Sequence, residues 1–289
     1  MVIFMINFVL FSVLFSVAVV IAATIINPTI RKKISYKKSI SLTTSFIILT
    51  LLGWWFVTAG SVIEERILSP IILPNPVEVV QAFPDLHFNQ NLVRSAFTSF
   101  TRVGVGFLLA TLVAITLGTY MASFSCISDF FKPLALVSAY VPIIVFVPLT
   151  LAWWGTSETQ KIGFLFIACF VALLPLVIKA INNVNSSLVD VALTKGASSR
   201  QILRHVLLPV SMPEIWEHLR GVYGVGWGWI ILAEVVNAQN GLGYLISVSE
   251  RRGHTNSTFA VIIVIVLIAI LCDKIWVCIG KKLFPYKNR

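Results

Sequence analysis

Long apolar runs separated by short polar stretches alternate along the whole chain. Met1 to Ile26 is almost wholly apolar, and further runs cover 40–60, 95–121, 131–153, 161–181, 214–236 and 259–279. Each holds about 20 residues, the length an α-helix needs to cross a hydrocarbon core roughly 30 Å thick. The runs are too long and continuous for the alternating pattern of a membrane β-barrel. The pattern predicts an all-α, polytopic transmembrane helical bundle of seven spans, or six if the first run is removed or lies on the surface. No basic residue precedes the first run and no small-x-small cleavage site follows it, which favours a retained span over a cleaved signal peptide.

The polar stretches set an orientation. Arg31, Lys32, Lys33, Lys37 and Lys38 form a dense basic loop between the first two spans, which the positive-inside rule places in the cytoplasm. Counting spans alternately from there puts 190–209 on the same side, together with Lys281, Lys282, Lys287 and Arg289. Three basic regions thus agree. The segment 61–91, with Glu64, Glu65, Glu78, Asp85 and several prolines, falls outside and is expected to hold an interfacial helix near 77–83. The chain divides into 1–72, two spans around the basic loop 31–38, and a membrane core, 73–289.

Composition narrows the class. Hydrophobic residues make up 57% of the 289 and charged residues only 12%, with a mean hydropathy of +0.91. A soluble globular domain does not reach that balance, and nothing is left for a soluble catalytic domain. The net charge of +10 is carried at the ends of apolar runs, so it reports membrane orientation rather than nucleic-acid binding. Cys126, Cys169, Cys272 and Cys278 show no Cys-x-x-Cys spacing and read as reduced packing residues. His87, His205, His218 and His254 are scattered without metal-ligand spacing, and no phosphate-cradling Gly-x-x-x-x-Gly-Lys-Ser/Thr sequence occurs. No catalytic residue, metal or cofactor is expected in this chain.

The polar stretch from Asp190 to Pro209 carries the most chemistry. It reads Asp190-Val191-Ala192, three residues, Gly196, nine residues, Val206-Leu207-Leu208-Pro209. The pattern predicts a short helix turned sharply at Gly196 and followed by a second helix that Pro209 closes, an element suited to docking in another protein's groove. Within the apolar runs, Glu234 stands out because an ionisable group there is costly unless it faces protein or water. It is either a functional charge near the mouth of a pathway or an interfacial carboxylate paired with Arg251 or Arg252. Arg102 and Asp273 are expected to be structural anchors, with Asp273 paired locally to its neighbour Lys274. Tyr140, Pro142 and Pro148 mark a kinked span that lines a pathway, the two prolines freeing backbone carbonyls. Gly224 and Gly228 have the small-xxx-small spacing of a helix or dimer contact.

The spacing from Asp190 to Pro209 resembles the cytoplasmic coupling loop of bacterial ABC importer permeases: Glu-Ala-Ala, three residues, Gly, nine residues, Ile, one residue, Leu-Pro. Asp190 stands for the Glu, Val191 for the first Ala and Val206 for the Ile, while Ala192, Gly196, Leu208 and Pro209 match. Further segments are similar to the nitrate, sulfonate, taurine and bicarbonate branch of that family. They are Leu73-Pro74-Asn75-Pro76 with Val77-Glu78-Val79-Val80, the stretch Ser99 to Phe107, and Trp153-Trp154-Gly155 with Glu158 and Lys161. Ala233-Glu234 and Gly241 to Ile246 complete the series. The resemblance runs from Leu73 to the C-terminus, while 1–72 rests on hydropathy alone.

That resemblance implies a type I ABC importer permease in the bacterial inner (plasma) membrane, forming a homodimer with a second permease chain. Its partners would be a cytosolic ABC ATPase dimer, which binds the ATP and Mg, and an extracytoplasmic solute-binding protein. The solute would be a small anion of nitrate, sulfonate, taurine or bicarbonate type. The branch usually carries Arg or a similar polar residue where this chain has Tyr140-Val141-Pro142, so a vitamin precursor related to thiamine or riboflavin stays open as solute. The rival class is a secondary transporter without an ATPase partner.

Overall fold

The computed structural model describes residues 34–60 and 66–288. The run Met1 to Ile26, Arg31 to Lys33, Glu64, Glu65 and Arg289 lie outside the described residues. Among those described, all regular structure is helical. The helices are α1 (Tyr36–Thr58), α2 (Pro76–Gln81), α3 (Phe83–Phe88), α4 (Leu92–Ser123), α5 (Ser125–Tyr140), α6 (Phe146–Trp154) and α7 (Glu158–Asn182). They continue with α8 (Ser186–Thr194), α9 (Ser199–Ile202), α10 (Leu208–Asn237), α11 (Leu242–Arg251) and α12 (Thr255–Leu283). Long, apolar helices able to cross a membrane are α1, α4, α7, the continuous run 199–236 and α12.

Two compact units divide the chain between Trp54 and Trp55. In the first, α1 is apolar and exposed along nearly all its described length, the surface of a helix meant for lipid. In the second, α4 packs along α7, and α10 lies against α7 as well. The α4 face reads Ser99, Gly106, Ala110, Ala114 and Gly118, all buried small residues at helical spacing. They let the two backbones approach closely: a Cβ on Gly106 would lie 3.0 Å from Leu165, and one on Gly118 would lie 2.8 Å from Val177. Gly163 of α7 likewise makes room for the Trp154 ring. Gly224 and Gly228, singled out from their spacing, have nothing within 4 Å of an added Cβ. The close helix approaches inside this chain are therefore made at other glycines.

Phe107, Tyr223 and Trp276 form an aromatic cluster joining α4, α10 and α12, with ring centroids 5.1 to 5.9 Å apart. Beside it, Arg220 of α10 grips Asp273 of α12 with two hydrogen bonds. Asp273 is thus an anchor, as expected, but its partner is a residue on another helix rather than Lys274. Cys169 and Cys272 are buried, while Cys126 and Cys278 are exposed, and all four are free thiols.

Two expectations fail at prolines. The run 131–153 is not one helix: α5 ends at Tyr140, Pro142 is extended (φ −62°, ψ 123°), and a 3-10 turn, Ile143–Val145, leads into α6. A residue before proline is driven out of the helical region, so Val141 cannot continue α5. Pro148 frees no carbonyl within α6, because it sits in the first turn, where N–H groups have no helical partner anyway. Nor does Pro209 close a helix. A π turn, Leu203–Leu207, joins α9 to α10, with the Leu208 N–H reaching the Leu203 carbonyl five residues back. That shift in the hydrogen-bond ladder comes just before Pro209, which has no N–H to give, and the helical run continues.

The segment after α1 is stitched locally. Asn75 caps α2 and its backbone N–H donates the reciprocal bond to the Glu78 carboxylate, while its side-chain amide donates to the Thr58 carbonyl at 3.2 Å. Arg66 donates to Glu78 at 2.8 Å. The interfacial helix expected near 77–83 appears as α2 and α3.

Gly118→Val should lower thermal stability in detergent by about 1–3 kcal/mol through overpacking against Val177. Gly104→Ala, on the same helix but with nothing within 4 Å, should leave the melting temperature unchanged or slightly raised. A second expectation concerns pH. The hydrogen bond from Arg66 holds the Glu78 carboxyl below its ordinary value. A carboxyl depressed in the fold contributes stability above its unfolded pKa, about 4.3, and loses it as pH falls through the lower folded value. Amide exchange in 66–82, corrected for intrinsic rates, should therefore be steady above about pH 5 and accelerate below about pH 4. Glu78→Gln should remove that dependence.

Candidate functional site

One side chain draws together four distant segments. Arg102, on α4, is 2% exposed, and each of its five N–H groups is used. Nε donates to Glu158 Oε2 at 2.7 Å, and Nη2 donates to the other Glu158 oxygen and to Asn240 Oδ1. Nη1 donates to Glu234 Oε1 at 2.7 Å and to the Asn240 carbonyl at 2.9 Å. Only Arg presents so rigid a planar fork, which explains how one residue holds α7, α10 and the 238–241 turn at once.

Glu234 is fully buried. Besides Arg102 it accepts from the Ser99 hydroxyl and from the Gly243 N–H at 2.9 Å, while Ser99 Oγ accepts from the Leu242 N–H. The Gly-Leu-Gly sequence makes this possible. Gly241 adopts φ +117°, and its Cβ would sit 2.5 Å from the Glu234 carboxyl carbon; one on Gly243 would sit 2.6 Å from Glu234 Cβ. Side chains there would push the backbone donors off the carboxylate.

Lys161, 1% exposed, donates from Nζ to the carbonyls of Thr156 at 2.8 Å and Ser157 at 3.2 Å. It thereby ties down the turn that follows Gly155, itself at φ +61°. With two cations and two carboxylates the cluster is neutral, as burial demands. The one hydroxyl it sets against a carboxylate, Ser99 on Glu234, is fully buried and also accepts from the Leu242 N–H, so the cluster pins helices rather than performing chemistry. Among the described residues no group of His, Cys, Asp or Glu is placed to hold a metal ion.

Of the residues foreseen, Glu234 takes Arg102 as partner in place of Arg251 or Arg252, and Arg251 instead bonds Ser247. Tyr140 is 82% exposed at the end of α5. Pro148 lines an apolar groove of about 250 Å³ with Ile144, Val147, Leu151, Leu232 and Val236. Glu234 does not reach that groove. Ser99, Glu158, Lys161 and Asn240 were not foreseen as one site. All but Asn240 lie in the quoted motif segments, and that shared membership was the only signal available.

The second candidate element lies at the far end of α7, whose 25 residues separate it from Glu158 by roughly 37 Å. Asn185 caps α8, which ends in a Schellman turn: Gly196, at φ +75°, donates to the Leu193 carbonyl and Ala197 to the Ala192 carbonyl. A Ser198/Gln201 capping box then starts α9. The sharp turn expected at Gly196 is present. Asp190 and Gly196 are exposed, Ala192 and Val206 half-buried, and Leu208 and Pro209 open α10. No residue of α8 is buried, and Leu188, Val191 and Leu193 are 44 to 56% exposed, an apolar surface left uncovered by the described residues.

Long apolar helices locked at one end by a neutral buried cluster, with an exposed helix-turn-helix at the other, define a membrane transport subunit. The chain belongs to the family of binding-protein-dependent transport system inner membrane components, whose family model matches residues 96–283. A putative ABC transporter permease protein of Methanocaldococcus jannaschii is 31% identical over 263 residues, 88% of this chain and 98% of that protein. The taurine transport system permease protein of Escherichia coli K12 is 28% identical, over 89% of this chain and 92% of its own length. In fold, the chain is similar to a methionine ABC transporter structure with a TM-score of 0.60 at 18% identity, covering 66% of this chain and 95% of that one. The protein is accordingly the multi-pass inner-membrane permease of a binding-protein-dependent ABC importer. It carries no cofactor and is not an enzyme; ATP hydrolysis belongs to a separate ATPase, and solute comes from a binding protein.

The cluster makes a stability prediction. Arg102→Met or Glu234→Met alone should each cost about 3–5 kcal/mol, because each strands a buried charge. The double variant should cost clearly less than the sum. Thermal unfolding of the purified protein in detergent measures all three.

Proposed function

We propose that this permease imports a small anion of sulfonate, nitrate or bicarbonate type, and that the helix-turn-helix from Asp190 to Pro209 receives the motion of the ATPase. The observation that carries the coupling reading is the exposed α8 surface. A Schellman turn fixes its shape, and its apolar residues are left uncovered by the described residues of the chain. In this reading Asp190, Ala192 and Gly196 meet the ATPase, and Val206, Leu208 and Pro209 return the chain to α10. The basic regions support a cytoplasmic place for this element, so the Arg102 cluster faces the outside. The similarity to a taurine permease supports the solute class.

The open face of α10, with Gly221, Gly224, Val225, Gly228 and Leu232 exposed, supports contact with a second copy of the chain. Tyr140 and the break at Pro142 serve as pathway residues beside the groove at Pro148. Glu234 acts as a latch behind that pathway. ATP drives switching only through differential affinity: it must favour the arrangement in which the ATPases, and the two helix-turn-helix elements they carry, have closed together.

The test is uptake of a labelled sulfonate by proteoliposomes holding the permease with its ATPase, supplied with the binding protein, with nitrate and bicarbonate as competitors. Gly196→Glu meets no neighbour but is strained at φ +75°. It should insert normally and lower uptake about tenfold or more. Normal uptake by a correctly inserted variant contradicts the coupling assignment. Transport of a solute that carries no sulfonate or other anionic group, with no competition from anions, contradicts the solute class.

A further inference from the structure

The C-terminal turn Pro285–Asn288 touches the return limb of the helix-turn-helix through a single hydrogen bond: Tyr286 Oη donates to the Pro209 carbonyl at 3.1 Å. The reason for that bond lies four residues along α10. A helical carbonyl normally accepts from the N–H four residues ahead, and for Pro209 that residue is Pro213, which has none. Pro213 therefore leaves the Pro209 carbonyl open, and Tyr286 fills the position from another segment.

Tyr286 is not a loose tail residue. Its ring meets Phe284 at 6.1 Å, Phe284 meets Trp216 of α10 at 6.0 Å, and Trp216 meets Trp276 of α12 at 4.4 Å with the rings tilted by 53°. Trp216 also donates to the Trp276 carbonyl at 3.2 Å, and it packs where Gly280 lacks a side chain, since a Cβ there would come within 2.6 Å of its indole. An aromatic ladder thus ties the turn to α10 and α12, and the hydroxyl extends it to Pro209.

We infer that Tyr286 is a positioning residue for energy coupling: it couples displacement of the 190–209 element to α12 as well as to α10. The inference rests on reading that element as the ATPase contact. A force arriving at α8 has covalent paths into α7 and, through α9, into α10, and reaches α12 only through packing contacts. With Pro213 weakening the start of α10, the Tyr286 bond gives that first turn its own link to α12, ahead of the Trp216–Trp276 and Arg220–Asp273 contacts further along the helix.

Proteoliposomes containing the permease, its ATPase and the binding protein provide the test, with solute carried per ATP hydrolysed as the readout. This ratio is insensitive to simple loss of folded protein. Tyr286→Phe should insert as the parent and lower the ratio several-fold. Pro213→Ala restores an N–H to the Pro209 carbonyl, so adding Tyr286→Phe to it should change the ratio little. An unchanged ratio in Tyr286→Phe, while Gly196→Glu uncouples, overturns the inference and spares the coupling reading. An equal fall with and without Pro213→Ala also overturns it, because the hydroxyl would then act elsewhere. Normal uptake together with an intact ratio in Gly196→Glu removes both.

Discussion

The arrangement of the larger unit depends on satisfying one buried guanidinium. A charge taken from water into a helix bundle is tolerable only if its hydrogen bonds are replaced and its charge balanced nearby. Arg102 meets both conditions with Glu158, Glu234 and Asn240, contributed by segments 56 to 138 residues away. Satisfying it fixes where α7 begins, where α10 ends and how the 238–243 segment folds back. The small-residue face of α4 follows from the same geometry, since Arg102 reaches those partners only if α4 and α7 are in close contact.

A rigid end gives the opposite end something to move against. The cluster is formally neutral, with Arg102, Lys161 and Glu234 buried and Glu158 at its exposed edge. The helix-turn-helix is exposed, lacks buried residues in α8, and is shaped by local caps: the Asn185 and Ser198/Gln201 side chains and the Schellman turn at Gly196. Between them run α7 and the continuous helix from Ser199 to Val236. Packed helices transmit displacement as units rather than deforming smoothly. Under the proposed coupling, an input at Gly196 arrives as tilt or rotation of whole helices, with the break at Pro142 and the π turn at Leu203 as places where the backbone can yield.

Hydropathy revealed the five long spans among the described residues, because each run is a local signal some 20 residues long. The turn at Gly196 was legible for the same reason: helix, glycine and cap lie within a dozen residues. What hydropathy missed was either finer than a span or wider than a window. The break at Val141 and the harmless place of Pro148 depend on where each proline falls within its helix, which an apolar run does not display. The continuity through Pro209 depends on a one-residue shift in the ladder. The partners of Glu234 and Asp273 lie 132 and 53 residues away, so proximity in sequence pointed to Arg251 and Lys274 instead. Gly224 and Gly228 have a packing spacing, yet spacing does not say which chain they face.

Hydrogen–deuterium exchange of the permease, alone and in complex with its ATPase, addresses the central claim that input enters at one end while the other stays locked. Amides of 186–208 should become strongly protected on ATPase binding, while those of 99–106 and 158–165 remain protected throughout and unchanged. If 186–208 exchanged equally in both samples, or protection at the Arg102 end rose and fell with the ATPase, the division into an input end and a fixed end would be wrong.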